Sequence, residues 1–204
     1  MRRNFKLGGI LLIITMISGL LLGFANDLTK DAILENSKIS KEDLNYIMPS
    51  AEKIQDTTIE INAESAIKEI YEAVNGSDVI GYVMKVTSKG FHGAIDFVVG
   101  ISKEDKVTGI KVLSHSETPG LGAKVTEDKF TERFKDKPAT DYLEVVKVTP
   151  NKDTEVEAIS GATTSSKASV KAVNEAITFY LEKIKGEIVE PKEDTDANTG
   201  ASTN

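Results

Sequence analysis

Nineteen consecutive residues without a charge, Leu7 to Ala25 (LGGILLIITMISGLLLGFA), constrain this chain more than any other feature. As a helix rising about 1.5 Å per residue, such a run spans roughly 28 Å, the hydrocarbon thickness of a bilayer. Arg2, Arg3 and Lys6 precede it and Asp27 follows it. The positive-inside bias therefore places residues 1–6 in the cytoplasm and everything after the span on the outer side. Gly23 and Ala25 are small enough for signal-peptidase cleavage, which is the competing reading. The run is longer than a usual signal h-region and favours a retained transmembrane helix over 7–25.

With 204 residues, 40% hydrophobic and 28% charged, the chain has material for one ordinary domain beyond the anchor. It has no cysteine. That excludes disulfides, thiolate nucleophiles, Cys-ligated zinc, cysteinyl iron–sulfur clusters and a lipid-modified cysteine, so any redox role needs an organic cofactor. The net charge is −7, and without Arg2, Arg3 and Lys6 it is −10. A nucleic-acid partner or an anionic lipid surface does not fit that balance.

Residues 26–62 mix helical signals (DAILENS, KEDLNYIMPSAEKI) with a break at Pro49, and read as a stalk or linker. In 64–74 the apolar positions 67, 70, 71 and 74 have helical spacing, and Asn75-Gly76 turns the chain. Val79–Val86, Ala94–Ile101 and Lys106–Leu113 read as strands of an antiparallel meander. A short helix is expected over Thr126–Phe134 with Thr126 as its N-cap, then a strand over Tyr142–Thr149. The longest helix is expected over Thr163–Ile184, with Val170, Val173, Ile177, Tyr180 or Leu181, and Ile184 on its apolar face. The domain is thus expected over 63–186, followed by a disordered acidic tail over 187–204.

Two stretches ask for a chemical explanation. In SHSETPGLGAK (114–124), Pro119, Gly120 and Gly122 form a loop whose backbone can approach a ligand closely. By residue type alone it reads equally as a tight connection. In EAISGATTSS (157–166), Ser160, Gly161 and Ala162 bring amide donors together at the start of the long helix, and Thr164, Ser165 and Ser166 add hydroxyls. A phosphate suits that place, because the unpaired amides and the helix dipole both favour an anion. Ordinary capping by Ser160 or Thr163 is the alternative.

Taken together, SETPGLGAK at 116–124, EAISGATTSS at 157–166 and GFHGAIDFVVGI at 90–101, behind a single N-terminal span, resemble RnfG (also called RsxG), the FMN-binding subunit of the Rnf electron-transport complex. NqrC of the sodium-pumping NADH:quinone reductase is similar. The resemblance covers the chain from the anchor to about residue 184. It implies an α+β fold in which one transmembrane helix precedes an extracytoplasmic FMN-binding domain with a mostly antiparallel sheet and a long C-terminal helix. It also implies that the threonine closing the Ser-Gly-Ala-Thr motif is esterified to the phosphate of FMN. That threonine is Thr163, with Ser160, Gly161, Ala162, Thr164 and Ser165 around it. On the same resemblance Glu117 and Thr118 hydrogen-bond the flavin, Leu121 packs on its ring, and Gly120 and Gly122 allow the approach. Glu157 stands where the family usually has Asp.

The implied partners are the other membrane subunits of the Rnf complex, together with a separate flavin transferase that uses FAD and Mg²⁺ during maturation. The implied activity is that of an electron-transfer subunit in an ion-translocating ferredoxin:NAD oxidoreductase, with no catalytic site of its own. An NqrC-like or stand-alone FMN carrier is the alternative within the flavin class. A non-redox scaffold on the outer face is the alternative outside it. His92 and His115 are the only histidines and, without cysteine or paired carboxylates at ligand spacing, read as surface polar residues rather than metal ligands. Tyr71, Tyr82, Phe91, Phe97 and Tyr142 read as core, and the acidic pair at 104–105 as a solvated turn.

Overall fold

The computed structural model describes residues 2–36, 39–62 and 65–187. The chain divides into two compact units, Met1–Ile39 and Ser40–Asn204. The first holds helix α1 (Arg2–Asn36). Within it Lys6–Thr29 is long and apolar enough to cross a membrane, with a mean hydropathy of 2.4. Leu7 through Leu28 expose their apolar side chains all round, the pattern of a helix whose solvent is lipid. Residues 188–204, most of the expected tail, lie outside the described residues.

The second unit is built on a five-stranded antiparallel sheet in the order β1-β2-β3-β4-β5, each strand beside its neighbour in sequence. The strands are β1 (Lys53–Asp56), β2 (Ile67–Asn75), β3 (Asp78–Lys89), β4 (Ala94–Ser102) and β5 (Val107–His115). The expected three-stranded meander is therefore present as β3 to β5, and β1 and β2 extend it ahead of the Asn75-Gly76 turn. Residues 67–75 are a strand and not a helix. A bulge between Ile67 and Glu69 gives β2 one extra residue, so Ile67 pairs with Val86 and Ile70 with Met84. Both isoleucines thus reach the same sheet face at a spacing of three, which mimics a helical period.

That face carries the main core. Ile67, Ile70, Met84, Val86, Phe97, Val99 and Ile110 pack under α4 (Thr163–Phe179), whose Val170, Val173 and Ile177 are buried as its periodicity predicts, with Ala176 beside them. Ala168, Ala172 and Ala176 keep the helix close to the sheet. A π-helical turn, Tyr180–Lys185, continues α4 and ends at Gly186 with φ 70°. Asn174 works as a surrogate strand: its side chain donates to Leu143 O at 2.9 Å and accepts from Leu143 N at 2.8 Å. This holds the segment leading into β6 (Glu144–Val146), which pairs in parallel with β7 (Glu155–Glu157). The expected strand over 142–149 is confined to those three residues.

The opposite sheet face is covered by what reads in sequence as a stalk. Helix α2 (Lys41–Ile47) opens with a reciprocal Ser40–Asp43 capping box and buries Leu44 and Ile47, with Met48 beside them. Ile47 fits only because the facing strand positions lack side chains. A Cβ on Gly100 would lie 2.5 Å from Ile47 Cγ2, and one on Gly109 would lie 3.2 Å from its carbonyl oxygen. Each such buried side chain contributes about 1.5–3 kcal/mol. Residues 40–51 are therefore packed domain and β1 joins the sheet, where the sequence suggests a linker as far as residue 62.

Ion pairs fasten both ends. Lys111 Nζ sits 2.5 Å from Asp43 Oδ1, and Asp105 accepts from Tyr180 Oη and Lys185 Nζ, each at 2.8 Å. Asp105 thus anchors the C-terminal helix instead of lying in a merely solvated turn. Lys185 holds the Asp105 carboxyl below its ordinary value of 3.8 despite partial burial. Burial pushes Asp43 up, but Lys111 and Ser40 outweigh it and leave this group lowered too. Carboxyls depressed on folding lend stability that is complete above the unfolded value and vanishes as pH falls through the folded one. The thermal midpoint of the domain is accordingly expected to stay level from neutral pH to about 5 and to fall below about 4. In Asp105→Asn the acid fall is expected to be shallower, which calorimetry across that range checks.

Candidate functional site

The two unusual sequence stretches fold into the same local shape. In the first, Leu121 N donates to Thr118 O at 3.2 Å, with Pro119 second and Gly120 third at φ 76°. In the second, Ala162 N donates to Ile159 O at 2.9 Å, with Gly161 third at φ 78°. A positive φ at the third position is what a type II turn demands of glycine, and Pro presets the second. The turns touch, because a Cβ on Gly161 would lie 3.3 Å from Leu121 Cδ2.

Glu117 joins them from beneath. It is 5% exposed. Its Oε1 accepts from His92 N at 3.0 Å, and its Oε2 accepts from the Ser165 hydroxyl in the first turn of α4. The Phe91 amide contributes a further bond. Burial pushes the carboxyl up, but the Ser165 hydroxyl and the His92 and Phe91 amides outweigh it and hold it below its ordinary range. His92 Nδ1 lies 3.1 Å from Thr118 Oγ1, and Glu117 N donates to His115 Nδ1 at 3.2 Å. Both histidines therefore hold this loop in place, beyond a plain surface role. Phe91, expected in the core, is 67% exposed, because it sits at the tip of the β3–β4 turn, past the reach of the sheet.

At the start of α4 the hydroxyls separate into different roles. The N-cap is Ala162, and no side chain caps the helix, so capping by Ser160 or Thr163 is not observed. Ser165 is committed to Glu117, while Ser166 Oγ accepts from Ile159 N at 2.9 Å and donates to Ala162 O at 3.0 Å. Ser160 and Thr164 are exposed. Thr163 is half-buried and, with Ser160 and Gly161, lines a cavity of about 490 Å³.

The far wall of the cavity comes from the segment after the first turn. This comprises a 3-10 helix at Gly122–Thr126, α3 (Asp128–Thr131) and a 3-10 turn at Glu132–Phe134. The expected helix over 126–134 is thus shorter than its pattern suggested, and its N-cap is Glu127 instead of Thr126. This wall supplies Lys124, Lys129 and Arg133, and Lys147 joins from beyond β6. Against these four cations stand, among the described residues that line the cavity, only Glu127 and Glu157, in a chain whose overall charge is −7. Arg133 donates to Glu157 O, lies 3.7 Å from its carboxylate, and rests over the Phe130 ring at 5.7 Å.

A half-buried hydroxyl, an uncapped helix start and a cationic wall suit a phosphate-bearing ligand. The volume is that of a small-molecule site. Ser160, Gly161 and Thr163 line it, whereas Glu117, Thr118, Gly120, Leu121 and Gly122 form the adjoining turn and do not. The cationic residues escape a reading of sequence motifs because they are scattered over 124–147 and meet only through the fold.

A family model for the FMN-binding domain matches residues 90–178, a range that includes both turns. The chain is 35% identical over 168 residues to the G subunit of the proton-translocating ferredoxin:NAD(+) oxidoreductase complex of Clostridium ljungdahlii, covering 82% of this chain and 86% of that one. The chain belongs to this RnfG family. The sodium-translocating counterpart of Acetobacterium woodii is 30% identical over 189 residues, 86% and 91% of the two chains. Among solved structures, the C subunit of the Na(+)-translocating NADH-quinone reductase from Parabacteroides distasonis shares the fold, with a TM-score of 0.51 at 22% identity over 58% of this chain and 63% of that one. Shewanella oneidensis NqrC does so with a TM-score of 0.50 at 20% identity, over 72% and 78%. The fold class expected from sequence is the one found.

Proposed function

We propose that this chain is a membrane-anchored electron-transfer subunit of an ion-translocating ferredoxin:NAD oxidoreductase complex, and that it carries FMN in a phosphoester to Thr163. The observation that carries the assignment is the division of labour among hydroxyls. Ser165 and Ser166 are buried and bonded inward, Thr164 lies outside the cavity, and of the two hydroxyls that line it, Ser160 and Thr163, the family motif takes the threonine.

The residues fit the group. The phosphate would lie against the uncapped first turn of α4, where the amides of residues 163–165 favour an anion. Lys124, Arg133 and Lys147 add positive charge across the cavity. When bound, FMN supplies an isoalloxazine ring that takes up and releases one or two electrons. The chain's own residues anchor and orient it: Thr118, Gly120 and Leu121 present a turn beside the attachment point, and Gly122 lets that turn descend into the domain. Glu117, its carboxylate engaged by the protein, supports the turn from below.

Helix α1 fixes the domain at a membrane with the basic N-terminus inside and the domain outside. There a covalent bond keeps a cofactor that diffusion would otherwise remove. The partners are the complex's other membrane subunits, which supply and take the electrons, and a flavin transferase that makes the ester. Protein taken from its own membranes is expected to run on a denaturing gel as a yellow-fluorescent band. A colourless band would instead mark a non-redox scaffold.

A further inference from the structure

We propose that Glu117 is a positioning residue, a buried anionic clamp that fastens the Thr118–Leu121 turn and the Phe91–His92 turn to the first turn of α4. It thereby fixes Thr163 relative to the surface its flavin meets. The role rests on the flavin reading of Thr163, but the clamp itself is visible in the bare protein. Three segments far apart in sequence converge on one carboxylate: the amides of 91 and 92, the loop carrying residue 117, and the hydroxyl of 165, two residues beyond the attachment threonine.

Two glycines make room for it. A Cβ on Gly90 would lie 2.5 Å from Glu117 Oε1, and one on Gly122 would lie 2.6 Å from Oε2 and 2.7 Å from Ser165 Oγ. A carboxylate at this depth is retained only because every bond to it comes from a donor, and charge-assisted bonds of that kind are the strong ones. Its charge also sits at the positive end of α4, where it is favoured. Ser165, which reads in sequence as one more hydroxyl for the phosphate, is the clamp's contact to the helix.

The test uses the full-length chain in detergent and has two arms. In flavin-free Thr163→Val protein, Glu117→Ala is expected to raise amide exchange about tenfold or more in 90–93, 116–122 and 160–166 together. Glu117→Gln should restore much of the protection, since its amide can donate to Ser165 Oγ while its oxygen accepts from His92. In flavin-loaded protein, Glu117→Gln is expected to keep the mass adduct on Thr163 and to move the flavin midpoint potential to a more positive value, because a buried anion has been removed.

Exchange confined to 116–122 overturns the clamp, as does an unchanged potential in fully loaded Glu117→Gln. Should Glu117→Ala fail to fold, Ser165→Ala serves in its place. It keeps the charge and is expected to loosen 116–122 and 160–166 but not 90–93, and protection unchanged in all three overturns the proposal. Wild-type protein found bare at Thr163 removes the flavin reading and leaves the exchange arm standing, so the two failures are distinct.

Discussion

Replacing Thr163 by Val is expected to abolish covalent flavin while leaving the domain folded. Valine matches threonine in shape, and the side chain caps nothing at the start of α4. The change in stability should therefore stay within about 0.5 kcal/mol, as for a partly exposed position with no special role. The proposed attachment uses one ester oxygen, so its loss should be complete and not graded. Thr164→Val and Ser160→Ala should both retain full loading, because the proposed ester uses neither hydroxyl. The comparison is read by intact mass of protein made in its own host. Loading that survives Thr163→Val and disappears with Thr164→Val would move the ester one residue on and undo the division of labour among the hydroxyls.

Gly122→Val is expected to be the most destabilising change in the two turns. Its Cβ would meet Glu117 Oε2 at 2.6 Å, Ser165 Oγ at 2.7 Å and Glu117 Cβ at 2.9 Å in a buried position. Overpacking of that kind costs about 1–3 kcal/mol. Displacing a buried carboxylate from its donors adds a similar amount. Gly120→Val gives the contrast, since its Cβ would meet nothing within 4 Å and only the φ of 76° resists it. That strain is about 1–2 kcal/mol. Urea midpoints of the flavin-free domain should rank wild type above Gly120→Val and Gly120→Val above Gly122→Val. The reverse order of the two variants would show that backbone conformation, not the crowding around Glu117, governs the turn.

What the sequence made legible depended on how local the cause was. The anchor, strands β3 to β5 and α4 follow from composition and period alone, and both glycine turns were visible as Pro-Gly and Ser-Gly-Ala punctuation. The failures were longer in range. In β2 a bulge disguised a strand as a helix. At 40–62 the capping signal was present in Ser40 and Asp43, yet the tertiary reason to fold there lay in Gly100 and Gly109, far along the chain on β4 and β5. The pentapeptide ISKED occurs twice, at 39–43 and 101–105. Followed by Leu-Asn-Tyr-Ile it caps α2, and between β4 and β5 it makes a turn with Asp105 at φ 59°. Identical local chemistry was resolved by what each copy packs against.

The candidate site shows the same division. Thr163 was reachable from the motif and the family it resembles. Glu117 was singled out for a hydrogen bond to the flavin, and its carboxylate is engaged by His92 N and the Ser165 hydroxyl. The cationic wall left no local trace, because Lys124, Lys129, Arg133 and Lys147 converge only once β6, β7 and the 122–134 segment are in place.

Peptide mapping by mass spectrometry of the native protein, taken from its own membranes, tests the central claim most directly. One FMN less one water is expected on the peptide that contains Thr163, with fragment ions placing it on that side chain. An unmodified Thr163 in protein from its own host, or the adduct on another hydroxyl of 160–166, would contradict it.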